Sequence, residues 1–140
     1  MNTNKILVAG VVGGVASFLL GWLIYGMLLS DFMQDNTVAG VAKDSEAGIM
    51  WAIAVGSLFF GFLFSVIYGR WAGIKTLKTG ATAGAVIGLL MGGHTAFISF
   101  GTANVYTSLT GVIVDMVAFV VLSALVGGVV GGVLGRGNDS

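Results

Sequence analysis

A chain of 140 residues with 56% apolar and 9% charged residues lies far from the roughly 25% charged content of soluble domains, which leaves no room for a soluble catalytic domain. Six basic and six acidic residues give zero formal net charge without a Lys or Arg run, so nucleic acid is not an expected partner. There is no cysteine, which excludes disulfides, thiolate metal sites and a cysteine nucleophile.

Four apolar stretches follow in chain order. The first, Ile6–Ser30, comes after Lys5 and carries Gly10 and Gly14. Its 25 residues exceed the roughly 7 to 15 of a signal-peptide core, which predicts a true membrane span. The second stretch, Ala47–Gly69, carries the four-residue row Ser57, Gly61, Ser65, Gly69. A seam with Arg70, Lys75 and Lys78 separates it from the third, Gly80–Gly101, with the row Gly80, Gly84, Gly88, Gly92 and then His94. These three basic residues are suited to anionic lipid headgroups. The fourth, Gly111–Gly135, holds Asp115, Ser123 and two adjacent columns, Gly127–Gly131–Gly135 and Gly128–Gly132. At about 1.5 Å of rise per residue, each stretch crosses a hydrocarbon core of about 30 Å with some tilt. The expected fold class is all-α, an integral membrane four-helix bundle forming a single transmembrane domain over residues 1–140. With no proline, straight and unbroken spans are expected.

The distribution of Lys and Arg predicts the orientation. Lys5, Arg70, Lys75, Lys78 and Arg136 fall on one side and Lys43 on the other. Both termini are therefore expected in the cytoplasm of a multi-pass inner-membrane protein. The loop carrying Asp31, Asp35, Asp44 and Glu46 faces outward. Trp22, Tyr25, Trp51, Trp71 and Tyr106 lie near span ends, where amphipathic rings settle at the headgroup level.

The two halves of the chain resemble each other. An offset of 70 pairs Lys5, Gly10, Gly14 and Leu19 with Lys75, Gly80, Gly84 and Leu89. An offset of 66 pairs Ser57, Gly61, Gly69 and Arg70 with Ser123, Gly127, Gly135 and Arg136. This pattern predicts two parallel-repeated helical hairpins related by an axis along the membrane normal. In lipid, apolar side chains gain little by leaving one hydrocarbon for another, so small-residue rows act by letting backbones approach. Gly80, Gly84, Gly88, Gly92, Ser57, Gly61, Ser123, Gly127 and Gly131 are accordingly expected at helix contacts inside the bundle. The second column, Gly128 and Gly132, is free for contact with a second copy or another membrane protein.

Within the spans, His94 and Asp115 are the side chains that ionise near neutral pH. They flank the turn between the third and fourth spans symmetrically, which predicts equal depth, about 10 Å inside the helix ends. An isolated carboxylate at the bilayer centre costs about 2 kcal/mol or more, so Asp115 needs a donor, and His94 is the expected one. Thr95, Ser99, Ser108 and Thr110 are placed to complete the network. Two ligands do not make a metal site, and no catalytic residue, metal or cofactor is expected.

The segment Phe18-Leu19-Leu20-Gly21-Trp22-Leu23-Ile24-Tyr25-Gly26-Met27-Leu28 resembles the Leu-Gly…Trp-Tyr-Gly segment of small four-helix bacterial membrane proteins known as a domain of unknown function. The closing Gly-Gly-Val-Leu-Gly at 131–135 is similar as well. The resemblance implies a four-span fold and no defined activity. The expected function is that of a structural, accessory or assembly protein of the membrane acting through helix contacts, not an enzyme. The alternative is a small proton-coupled transporter or channel using Asp115 and His94.

Overall fold

Backbone amides in hydrocarbon must find partners within their own segment, so apolar stretches joined by short polar seams cross a bilayer as helices. The computed structural model describes residues 2–43 and 48–137. In chain order it contains α1 (Thr3–Leu28), α2 (Ser30–Asn36), α3 (Met50–Ala72), α4 (Leu77–Thr102) and α5 (Leu109–Leu134). All but the short α2 are long and apolar enough to cross a membrane. The chain is thus an all-α bundle of four long helices.

Each long helix matches its expected span to within three residues at either end. Polar caps explain the earlier starts of α1, α4 and α5, because they sit just outside the apolar runs. The side chains of Asn2, Thr76 and Ser108 accept hydrogen bonds from the amides of Asn4 (2.8 Å), Thr79 (3.1 Å) and Gly111 (3.2 Å). The expected start of the second span at Ala47, and the acids Asp44 and Glu46, lie outside the described residues. The α2 helix was not foreseen in the first connection.

The long helices are unbroken but not uniform. The last turns of α1 (Trp22–Leu28) and of α3 (Ile67–Ala72) are π-helical. The amide of Leu29 donates to the carbonyl of Ile24, five residues back, at 2.9 Å. Such a turn takes in an extra residue and rotates the side chains that follow it. Tyr25 and Tyr68 lie in these two stretches. Gly73, at φ +64°, closes α3 with a left-handed cap that favours glycine.

The helices pack as two hairpins, α1 on α3 and α4 on α5. The hairpins meet chiefly through α1 and α5, with a smaller contact between α3 and α5, whereas α3 and α4 barely touch. The centre of the molecule is therefore α5, whose Val112, Val126, Val130 and Leu134 are fully buried. Two-fold symmetry would map the contact of α1 with α5 onto α4 with α3, so the docking of the hairpins is not symmetric.

Inside each hairpin the glycine rows do the packing. A Cβ on Gly61 would collide with the amide nitrogen of Gly14 and the carbonyl of Gly10. A Cβ on Gly127 would come within 2.5 Å of the Gly80 carbonyl and 3.0 Å of the Gly84 Cα. The two crossings use residues that the internal alignment pairs with each other. Gly84 lies against the Ser123 carbonyl, Gly88 against the Ser123 side chain, and Gly131 against the Thr76 carbonyl. Further along α4, a Cβ on Gly92 would come within 2.8 Å of the Phe119 ring. Ser57 is half-buried in the α1–α3 hairpin, with its carbonyl 3.3 Å from where a Gly14 Cβ would sit.

The second column of α5 is looser. A Cβ on Gly128 would sit 3.4 Å from Ala81 and Leu77, and one on Gly132 would sit 3.9 Å from Leu77. This column runs along the margin of α4, so Gly128 is buried internally rather than held free for an outside partner.

The two columns differ enough to test. Gly127→Ala should destabilise the protein by about 1–3 kcal/mol through overpacking. Gly132→Ala, with ordinary clearance, should stay within about 0.5 kcal/mol of wild type. Unfolding in mixed micelles of increasing SDS content measures both, and equal losses would contradict the packing described.

Candidate functional site

Asp115 lies on the second turn of α5, half-buried on the row formed by Gly111, Asp115, Phe119, Ser123 and Gly127. That row faces the bundle, as its spacing predicts. The donors to Asp115 are two tyrosines. The Tyr25 hydroxyl donates to Asp115 Oδ1 at 2.9 Å, and the Tyr106 hydroxyl donates to Oδ2. Tyr25 comes from the π-helical end of α1 and Tyr106 from the connection between α4 and α5. One carboxylate thus ties together three parts of the chain.

His94 does not take part in this pairing. It lies between the buried Gly92 and Ala96 but is exposed, on the far side of α4. At about 100° per residue, a position two residues from both Gly92 and Ala96 points about 180° away from the face they share. Gly92 and Ala96, which bracket His94, line the same cavity as Asp115, while helical phase turns the His94 side chain away.

The connection that carries Tyr106 is held from below by the first connection. Thr37 and Tyr106 form an antiparallel bridge, and the amide of Val38 donates to the Val105 carbonyl at 2.8 Å. The amide of Thr107 donates to the Asn36 carbonyl at 3.0 Å, and the Ser108 hydroxyl donates to Asn36 Oδ1 at 2.9 Å. Ser108, expected in the Asp115 network, instead caps α5 and binds Asn36. Burial, then the hydrogen bond to Asp115 and the charge of that carboxylate, raise the pKa of the Tyr106 phenol.

A cavity of about 100 Å³ opens beside the carboxylate, lined by Gly92, Thr95, Ala96, Tyr106, Asp115 and Phe119. Thr95, the one network candidate that reaches this site, forms part of its wall. Phe119 continues into an aromatic row on α3, with ring centroids 5.5 Å from Phe119 to Phe60, 4.9 Å to Phe64 and 5.7 Å on to Tyr68. The row ends at the opposite end of the bundle, where the buried Tyr68 hydroxyl donates to the Gly80 carbonyl at 2.7 Å.

Among the described residues no group of three or more His, Cys, Asp or Glu is placed to hold a metal ion. The chemistry open to Asp115 is that of an acceptor, for phenols, a proton or a cation. Sequence reasoning passed over Tyr25 and Tyr106 by reading them as headgroup anchors. The signal that could have found them is their hydroxyl, since Phe would serve an apolar role equally well. No protein-family model, curated protein or solved structure matches the chain.

Two predictions follow from this geometry. Asp115→Ala leaves two phenols without an acceptor and should destabilise the protein by about 1–3 kcal/mol. Asp115→Asn should cost about half as much, because an amide accepts from one phenol and donates to the other. A double-mutant cycle with Tyr25→Phe, measured by SDS unfolding, should show coupling, and strict additivity would contradict the hydrogen bond.

The raised Tyr106 pKa carries a definite sign. The folded phenol holds its proton to higher pH than the unfolded one, so its contribution is complete below about pH 10 and declines above it. Wild-type thermal stability should therefore fall more steeply with pH above 10 than that of Tyr106→Phe, as read by circular dichroism. Parallel curves would remove the assignment.

Proposed function

We propose that this chain is a multi-pass protein of the inner membrane that serves as a structural, accessory or assembly subunit through helix contacts. The carrying observation is that the acid within the spans is engaged by hydroxyls of the same chain, Tyr25 and Tyr106. An acid so engaged supports a structural latch over a catalytic role. Inward from Asp115, the backbones of α4 and α5 meet at Gly84, Ser123 and Gly127, which leaves no water path along that contact. The protein is read as a non-enzyme whose surroundings are the lipid bilayer and a second copy or another membrane protein.

Lys5, Arg70, Lys75, Lys78 and Arg136 favour a cytoplasmic location for both termini. The hydrogen bond from Arg70 to the Thr3 hydroxyl, at 2.7 Å, brings the start of α1 beside the end of α3, in keeping with one side for both. The paired crossings at Gly61 and Gly127 support an origin by duplication of one hairpin. The small proton-coupled transporter remains as a second reading because a cavity borders Asp115. In that reading Asp115 acts without His94, which faces away from it.

Flux measurement in proteoliposomes separates the two. The structural reading expects proton permeability equal to that of empty vesicles under imposed pH and voltage gradients. Flux that Asp115→Asn abolishes in a folded protein would overturn it. Orientation is checked separately with Ala72→Cys and Ala42→Cys in this cysteine-free chain. An impermeant thiol reagent applied to intact cells should label position 42 and leave position 72 unlabelled.

A further inference from the structure

The two phenols occupy one lone-pair position on each oxygen of Asp115. A carboxylate offers about four such positions, so acceptor capacity remains on a group that borders an open volume. That volume, about 100 Å³, has room for a small guest of a few heavy atoms. Its other lining residues are the aromatic Tyr106 and Phe119, with Gly92, Ala96 and the methyl-bearing Thr95. Besides Asp115, the wall contributes no ionisable group that is charged at neutral pH. An anion has no counter-charge here, and a metal ion lacks a third ligand among the described residues. A neutral apolar guest would leave the remaining lone pairs unanswered.

We infer that the Asp115 cavity binds a small organic ammonium group, its charge on the carboxylate and its methyl or methylene surface against Phe119 and Tyr106. Aromatic faces attract such cations beyond simple burial, because the ring quadrupole is negative above its plane. The size admits a headgroup of a few heavy atoms, and a lipid chain does not fit. Depth also suits this ligand. α5 has 26 residues, about 39 Å of helix against about 30 Å of hydrocarbon, so a centred helix extends about 4–5 Å beyond the core at each end. Asp115 is six residues from the first residue of α5, about 9 Å along its axis, which leaves it about 4–5 Å inside the boundary. An ammonium group reaches that level from the headgroup region, either as a free amine or as the ethanolamine of a neighbouring lipid.

The experiment places the full chain in nanodiscs of phosphatidylglycerol, whose headgroup lacks an amine, and measures radiolabelled methylammonium by scintillation proximity, with tetramethylammonium as competitor. Saturable binding of one cation per chain is expected, weakened at least about tenfold by Asp115→Asn. Thr95→Phe provides an independent variant, since Thr95 is exposed at the cavity wall and makes no contact in the Asp115 latch. It should fill the cavity and abolish binding while leaving the unfolding midpoint near that of wild type. If Asp115→Asn fails to fold, Thr95→Phe decides. Absence of saturable binding to folded wild type overturns the inference, as does binding unchanged in Thr95→Phe. Repeating the titration at equal surface charge, with phosphatidylethanolamine in place of an uncharged amine-free glycolipid as the diluent of phosphatidylglycerol, identifies the source. A weaker apparent affinity assigns the site to the lipid headgroup, and an equal one assigns it to the free amine; both support an ammonium site. The result does not depend on whether the protein transports anything.

Discussion

Close approach of backbones at the glycine crossings is the constraint on which the rest of this fold depends. In lipid no hydrophobic force drives helices together, so association must come from dispersion and hydrogen bonding at short range. At Gly61 the Cβ position is already occupied by the Gly10 carbonyl and the Gly14 amide. At Gly127 it is shared among the Gly80 carbonyl, the Gly84 Cα and the Tyr68 hydroxyl. Such contact excludes any larger side chain, which is why the rows recur every four residues along α4 and the inner half of α5. It also explains why the closest backbone approaches lie within the two hairpins. What remains to be specified is how one hairpin docks on the other.

Two tyrosines contribute to that specification, at opposite ends of the bundle. Tyr25 of the first hairpin binds Asp115 of the second near the connections, and Tyr68 binds the Gly80 carbonyl near the termini. Both sit in π-helical turns at helix ends, where the added residue alters the phase of the side chain. Both hydroxyls reach partners across a hairpin boundary, one on α5 and one on α4. A polar bond in hydrocarbon contributes modest energy, about 1–2 kcal/mol in model systems, but it has direction that methyl packing lacks. The latches therefore help define which face of the second hairpin meets the first.

The spans and the inner glycine rows were legible because both depend on one-dimensional patterns, length without charge and a period near four. The inward row through Asp115 was legible for the same reason. His94 was misread because depth along a helix can be counted from the sequence, whereas phase relative to a partner helix requires knowing which face packs. Gly92 and Ala96 take the inward face of α4, and His94 between them is turned outward. Tyr25 and Tyr106 were hidden by a correct but incomplete rule, since rings near span ends are usually anchors. The α2 helix and the pairing of Thr37 with Tyr106 depend on contacts between two connections that are far apart in sequence. Within the second glycine column Gly128 was misjudged, because one helix margin can touch a neighbour loosely without facing lipid.

The divergence between the halves has a consequence for the site itself. Under the duplication, Asp115 corresponds to Ile49, and Tyr25 corresponds to Thr95. The half that carries the acid thus has a small residue where the other half has the phenol. Had Thr95 been a tyrosine, its ring would compete for the space beside Asp115 and the cavity would close. The acid, its donor and the space next to it therefore require that the two hairpins differ at these positions. The asymmetric docking, with α1 on α5 and almost no contact between α3 and α4, is what brings the differing positions together.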